Sequence, residues 1–224
     1  MELFAGHGQL SHQLWQIGFD VISIDHFAPA RAVTPITKLN LAEGPGQAIL
    51  LQILDQVKPT YLHLGLPCGT CSRARDRPIA KHLVAQGAPQ PQPLRSAEHP
   101  LGLPSLKPTS ISGQRVQSAN KLYRFAIQVL RWAFQHEAIV SIENPHRSWL
   151  WTVLLHLVRE TEDENLLRRF AALHDVEFAN CMHGGTRLKI TRWRSTASVF
   201  ASLQVACDGN HDHAPYQLEN HAAG

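Results

Sequence analysis

Glu2-Leu3-Phe4-Ala5-Gly6-His7-Gly8 opens the chain and decides its fold. An apolar strand end runs straight into a glycine turn. Leu10, Leu14 and Ile17 follow at helical spacing up to Gly18, and the short β-branched run Val21, Ile22, Ile24 closes on Asp25. Strand, glycine turn, helix, strand, acid is the order of a nucleotide-type binding unit. Its glycines let backbone approach a ligand, and its acid accepts hydrogen bonds from ribose hydroxyls. The third glycine of a dinucleotide fingerprint is absent. A ligand with a ribose but no pyrophosphate therefore suits the turn better. By itself the pair Gly6/Gly8 is equally well a turn in any doubly wound fold.

Working outward, a connection punctuated by Pro and Gly covers 28–46, and Ile49, Leu50, Ile53, Leu54 and Val57 predict a helix stopped by Pro59. Tyr61 to Gly65 reads as a buried strand. The segment 66–114 is rich in Pro, Arg, Ser and Gly without periodicity, so it is expected as a long functional loop. A helix is predicted over 115–135, a strand over 138–142, and helices over 149–158 and 166–173. Two strands, 176–181 and 188–193, flank His183-Gly184-Gly185 as a hairpin. Alternating strands and helices specify an α/β fold: a Rossmann-like, mostly parallel twisted sheet with an antiparallel hairpin strand and helices on both faces. Ligands are then expected at the carboxyl ends of the strands.

The chain has 224 residues, 44% of them hydrophobic, which suits one domain: a catalytic unit over 1–205 and a His-rich tail over 206–224. A formal charge of +3 permits a nucleic-acid partner without requiring one. The absence of a long apolar run or of a secretory leader excludes a membrane span and predicts an intracellular protein. Four irregularly spaced cysteines, Cys68, Cys71, Cys181 and Cys207, argue against a disulfide scaffold.

Two strand ends carry the chemistry. Gly65-Leu66-Pro67-Cys68 places a cysteine after a strand with Arg73, Arg75 and Arg77 close in sequence, surroundings expected to favour thiolate. The alternatives are a buried structural cysteine, or a Cys68-x-x-Cys71 pair for redox or zinc chemistry. Ile142-Glu143-Asn144-Pro145 places a carboxylate at another strand end, although Asn-Pro is also a helix-start signal.

In order along the chain, Glu-Leu-Phe-Ala-Gly-x-Gly at 2–8, Pro-Cys-x-x-x-Ser at 67–72, Glu-Asn at 143–144 and a basic Gly-Gly connection at 184–185 resemble the DNA cytosine-5 methyltransferases. The resemblance covers nearly the whole chain and implies the methyltransferase form of the Rossmann-like fold with S-adenosylmethionine as cofactor. It implies that Phe4, Ala5, Gly6, Gly8, Asp25, Asn40 and Pro67 surround the cofactor. Cys68 would attack carbon 6 of a flipped cytosine in DNA so that carbon 5 takes the methyl group, and Glu143 would polarise the base. Lys189 and Arg192 would support the base pocket and the DNA backbone. Arg73, Arg75, Arg77 and Arg95 on the long loop, with Arg187, Lys189, Arg192 and Arg194 on the hairpin, would contact phosphates.

Gly69, Cys71, Asn144-Pro145 and Thr186-Arg187 depart from the family pattern, implying a differently shaped base pocket. No segment after the hairpin is long enough for target recognition, which points to a partner chain or to sequence beyond this one. The same fold serves RNA and other methyltransferases, or an inactive nucleic-acid-binding module, as alternatives. No metal is expected of the catalytic fold. In the tail, Cys207, His211 and His213 with Cys181 form a set that zinc could use, but their spacing is not that of a standard finger, and a polar terminus is the favoured reading.

Overall fold

A computed structural model describes residues 1–214; the tail beyond, 215–224, lies outside the described residues. Seven strands form one sheet: β1 (Glu2–Leu3), β2 (Ser23–Asp25), β3 (Ile36–Lys38), β4 (Tyr61–Leu64), β5 (Ile139–Pro145), β6 (His174–Ala179) and β7 (Ile190–Ser195). Their spatial order is β3-β2-β1-β4-β5-β7-β6. The first five are parallel, whereas β7 runs antiparallel to both β5 and β6. The α/β class, the mostly parallel sheet and the antiparallel late strand agree with expectation.

Helices α1 (Gln9–Gln16), α2 (Gly44–Val57), α3 (Lys81–Ala85), α4 (Ile111–Gln135), α5 (Leu150–Glu160) and α6 (Glu164–Ala171) connect the strands. The steps β1 to β2 and β4 to β5 move in opposite directions across the sheet, so right-handed crossovers set their connecting helices on opposite faces. Between β1 and β4 the chain reverses direction across the sheet, and a crevice opens at the strand ends there. Leu3, Ile24, Leu62, Leu64, Val140 and Ile142 are fully buried in the central strands, as parallel strands covered on both faces require. No helix among the described residues is long and apolar enough to cross a membrane.

Four local departures have physical reasons. Strand β3 lies inside the expected connection 28–46; its three residues follow Pro35, two are exposed, and only pairing with β2 defines it. Helix α4 begins at Ile111, because Ser110 Oγ caps it by accepting from Gly113 N–H at 3.0 Å, whereas the apolar pattern starts only later. Asn144-Pro145 ends strand β5 and does not start a helix; α5 begins at Leu150. The chain between β6 and β7 is no tight hairpin, since a short 3-10 helix, Asn180–His183, and a further loop intervene.

Candidate functional site

The turn after β1 is built by unusual backbone. Phe4 takes φ 60° and Gly8 φ 72°, and a Cβ on Gly8 would stand 3.1 Å from Thr34, so the tight return toward α1 requires glycine there. Helix α1 has no side-chain N-cap at Gly8. Instead Glu2, buried on β1, accepts from Ser11 N–H at 2.9 Å and satisfies one of the open donors. Gly6 N–H donates to Asp25 Oδ2 at 2.9 Å, so the turn fixes the acid at the end of β2.

A cavity of about 510 Å³ opens at the ends of β1, β2 and β4. That volume lies within the usual range for small-molecule sites. Of the residues expected around a cofactor, Phe4, Asp25, Asn40 and Pro67 line it. Ala5, Gly6 and Gly8 form the turn that positions Phe4 and Asp25 and are not among the lining residues. Leu39, Leu41 and Leu122 supply apolar wall; Arg75 and Arg115 bring positive charge to the rim. Arg115 and Ser118 come from α4, a contribution no local motif announces.

Beyond β4, the loop carrying Cys68 is pinned along its length. Leu66 O accepts from Asn144 Nδ2 at 2.7 Å, and Pro67 O accepts from Tyr123 OH at 2.5 Å. Cys68 O accepts from Cys71 N–H and Gly69 O from Arg75 Nε, each at 2.9 Å. Cys71 O accepts from Trp149 N–H at 2.9 Å and from Ser148 Oγ. Buried carbonyls need partners, and here the partners come from four separate segments of the chain. The two cysteines of the C-x-x-C pair thus have different fates. Cys71 is fully buried against Tyr123, while Cys68 is only half-buried and its thiol interacts with Lys189 and Glu143.

Glu143 and Lys189 meet across the sheet, with Lys189 Nζ 3.0 Å from Glu143 Oε1. The Cys68 thiol is within electrostatic reach of this pair. Arg192 does not join them. It pairs in register with Asn144, and successive side chains of a strand point to opposite faces, so Arg192 is carried away from Glu143. Its guanidinium binds Glu177 Oε1 at 2.6 Å and lies over Trp151. Arg194 is likewise held by Asp175 at 2.6 Å.

The arginines of the long loop also take separate roles. Arg73 pairs with Asp76 and stacks over Trp149 at 4.3 Å, and Arg77 is exposed. Arg95, expected on a phosphate-binding surface, is 1% exposed and corrects that expectation. It donates to Pro100 O, Asn120 Oδ1 and Thr70 Oγ1, tying the loop to α4 and to the Cys68 segment. Arg187 is half-buried on the connection before β7.

The arginine-rich surroundings do not make Cys68 an acidic thiol. Burial pushes its pKa above the ordinary value; Lys189 opposes the shift and Glu143 adds to it. A second buried group lies on the same sheet face: His63 Nδ1 bonds Ser141 Oγ at 2.8 Å, and burial lowers its pKa to about 3. Far from the crevice, beside edge strand β6, Cys181, Cys207, His211 and His213 gather.

No protein-family model matches the chain, and no curated protein matches it.

Proposed function

We propose that the chain is an S-adenosylmethionine-dependent methyltransferase acting on carbon 5 of cytosine in DNA, with Cys68 as its covalent nucleophile. One observation carries this reading: Pro67 and Gly69 line a ligand-sized cavity while Cys68, between them, lies within electrostatic reach of the Glu143–Lys189 pair. Cys68 and Glu143 do not line that cavity themselves; the backbone neighbours of Cys68 do, which sets the thiol next to the cofactor-sized space.

The residues present suit the cofactor. Asp25 already holds Gly6 N–H on Oδ2 and Phe27 N–H with His26 Nδ1 on Oδ1, which leaves Oδ2 lone-pair capacity for a ribose hydroxyl, and Phe4 with the leucines offers apolar wall for a purine. When bound, S-adenosylmethionine supplies an electrophilic methyl group. The Cys68 thiol gives its proton to solvent water, and the thiolate Sγ adds to carbon 6 of the base, moving the ring electrons onto carbon 5. Glu143, oriented by Lys189, hydrogen-bonds the ring edge and holds a proton at the ring nitrogen during that addition. After carbon 5 is methylated, its proton leaves to a base and the Cys68–carbon 6 bond breaks, restoring the thiolate. The rigid carbonyl anchoring of 66–71 holds the thiol in place at little entropic cost during attack.

The experiment is incubation with labelled S-adenosylmethionine and duplex DNA, transfer RNA or free cytidine, followed by nucleoside analysis. Label in 5-methylcytosine from DNA, abolished in Cys68→Ser, is the expected result. DNA bearing 5-fluorocytosine should trap the enzyme covalently, since fluorine blocks the proton loss. Label in RNA alone would reassign the acceptor, and no calorimetric binding of S-adenosylhomocysteine would overturn the cofactor itself.

A further inference from the structure

Strand β6 is the edge of the sheet, and a sheet edge exposes unpaired backbone groups unless something covers it. The chain after β7 returns to this edge. Val205 pairs with Phe178 in a parallel bridge, Ala179 N–H donates to Val205 O at 2.9 Å, and Ala214 N–H donates to Thr186 O at 2.7 Å. Between these two stitches stands Cys207-x-x-x-His211-x-His213, directly opposite Cys181 in the 3-10 helix that follows β6. The stitches bring together two thiols and two imidazoles from segments about 26 positions apart, by the difference between 207 and 181.

The distances distinguish a metal-type arrangement from ordinary hydrogen bonding. One ligand atom from each of the four residues falls within 4.8 Å of all the others. Cys207 Sγ is 3.5 Å from His213 Nε2 and 3.9 Å from His211 Nε2. Zinc bonds of roughly 2.3 Å to sulfur and 2.05 Å to nitrogen, at tetrahedral angles, separate sulfur from nitrogen by roughly 3.6 Å. The observed pair of distances brackets that value, and both imidazoles present the same nitrogen.

The surroundings complete the pattern. His211 Nδ1, the nitrogen turned away from the cluster, is 3.2 Å from Asp208 Oδ1, the carboxylate–histidine relation that orients metal-bound imidazoles. Gly209 N–H donates to Cys207 Sγ from 3.4 Å and so holds the sulfur in place. His183, though near in sequence, is otherwise engaged: its Nε2 is 2.9 Å from Leu203 O. From this geometry we propose that Cys181, Cys207, His211 and His213 bind one structural zinc ion in a Cys2His2 site that clasps the terminal segment to the β6–β7 connection.

Two thiolates balance the charge of the dication, and both thiol protons leave as it binds. Four protein ligands fill the tetrahedron, so the site is structural and has no open position for a substrate. The clasp closes on the connection that carries Lys189, whose carbonyl accepts from Asn180 N–H at 2.9 Å, one residue before Cys181. Metal at the edge of the sheet thus braces the loop that reaches Glu143. This inference stands independently of methyl transfer.

The test uses the full chain, purified reduced from zinc-replete medium. Elemental analysis should find close to one zinc per chain. Replacement by Co(II) should produce the visible ligand-field bands of a tetrahedral site together with thiolate charge-transfer absorption. Cys207→Ser and His213→Ala should each lose stoichiometric zinc, Asp208→Ala should weaken binding about ten- to a hundredfold, and His183→Ala should keep the metal. If the cysteine variant fails to fold, His211→Ala and Co(II) titration of the wild-type chain decide. A folded, reduced wild-type chain that takes up neither zinc nor Co(II) overturns the proposal.

Discussion

Lys189 Nζ reaches Glu143 Oε1 at 3.0 Å, joining the connection after β6 to the end of β5 beside the Cys68 thiol. The pair acts on the thiol in opposite senses: the ammonium lowers its pKa and the carboxylate raises it, while burial raises it more than either.

Alkylation of Cys68 should therefore be slow at neutral pH and accelerate as pH rises past the ordinary thiol value. Lys189→Met removes the stabilising cation and should slow iodoacetamide labelling at pH 8 by about three- to tenfold, since one pKa unit changes the thiolate fraction about tenfold. Glu143→Gln should speed it by a smaller factor. Peptide mapping of the labelled protein reads both rates, and equal rates in all three proteins would separate the pair from the thiol.

Among the described residues Arg95 is a buried cation without a carboxylate partner, held by Pro100 O, Asn120 and Thr70. Arg95→Met strands those acceptors and should lower stability by about 2–4 kcal/mol. Arg77→Ala, on an exposed side chain, should stay within about 0.5 kcal/mol of wild type. Urea midpoints measure the difference, and limited proteolysis should show cleavage appearing between 77 and 109 in the Arg95 variant alone.

His63 is buried neutral, with its pKa lowered to about 3 from 6.5. The unfolded chain takes up the proton first, so this contribution to stability is complete above pH 6.5 and is lost as pH falls from there toward 3. At about 1.4 kcal/mol per unit the effect is of the order of 5 kcal/mol. His63→Phe keeps a ring against Trp193, and Ser141 Oγ retains Tyr61 OH as partner. Thermal unfolding of the variant should show a flatter acid limb; an unchanged limb would assign the acid sensitivity elsewhere.

Tyr123 positions the nucleophile loop through its bond to Pro67 O. Tyr123→Phe should cost about 1 kcal/mol of stability. On the proposed function it should reduce kcat about ten- to a hundredfold through misplacement of Cys68, with little change in S-adenosylhomocysteine affinity. A fall in cofactor affinity with kcat preserved would place Tyr123 in cofactor binding instead.

Periodicity made the long elements legible. Leu50 and Leu54 in α2, and Val116, Ala119 and Tyr123 in α4, recur at helical spacing because one face is buried. The three-residue β3 escaped such reading, since a strand that short has no period and exists only through its pairing with β2. The strand ends carrying Asp25, Cys68 and Glu143 were also visible, because each follows an apolar run with fully buried members: Ile24, then Leu62 and Leu64, then Val140 and Ile142.

What the chain determines by itself is the order of its elements and the kinds of chemistry placed at their ends, for these depend on patterns between near neighbours. Which of its many cations meets Glu143 was decided only in three dimensions. Lys189 reaches it from a loop, while strand alternation turns Arg192 to the other face and a pocket of neutral acceptors encloses Arg95. The same holds for Cys71 and Cys181. Local sequence offers each as a partner for Cys68 or for the tail, but packing against Tyr123 buries the first, and the return of the chain along β6 brings Cys207 to the second.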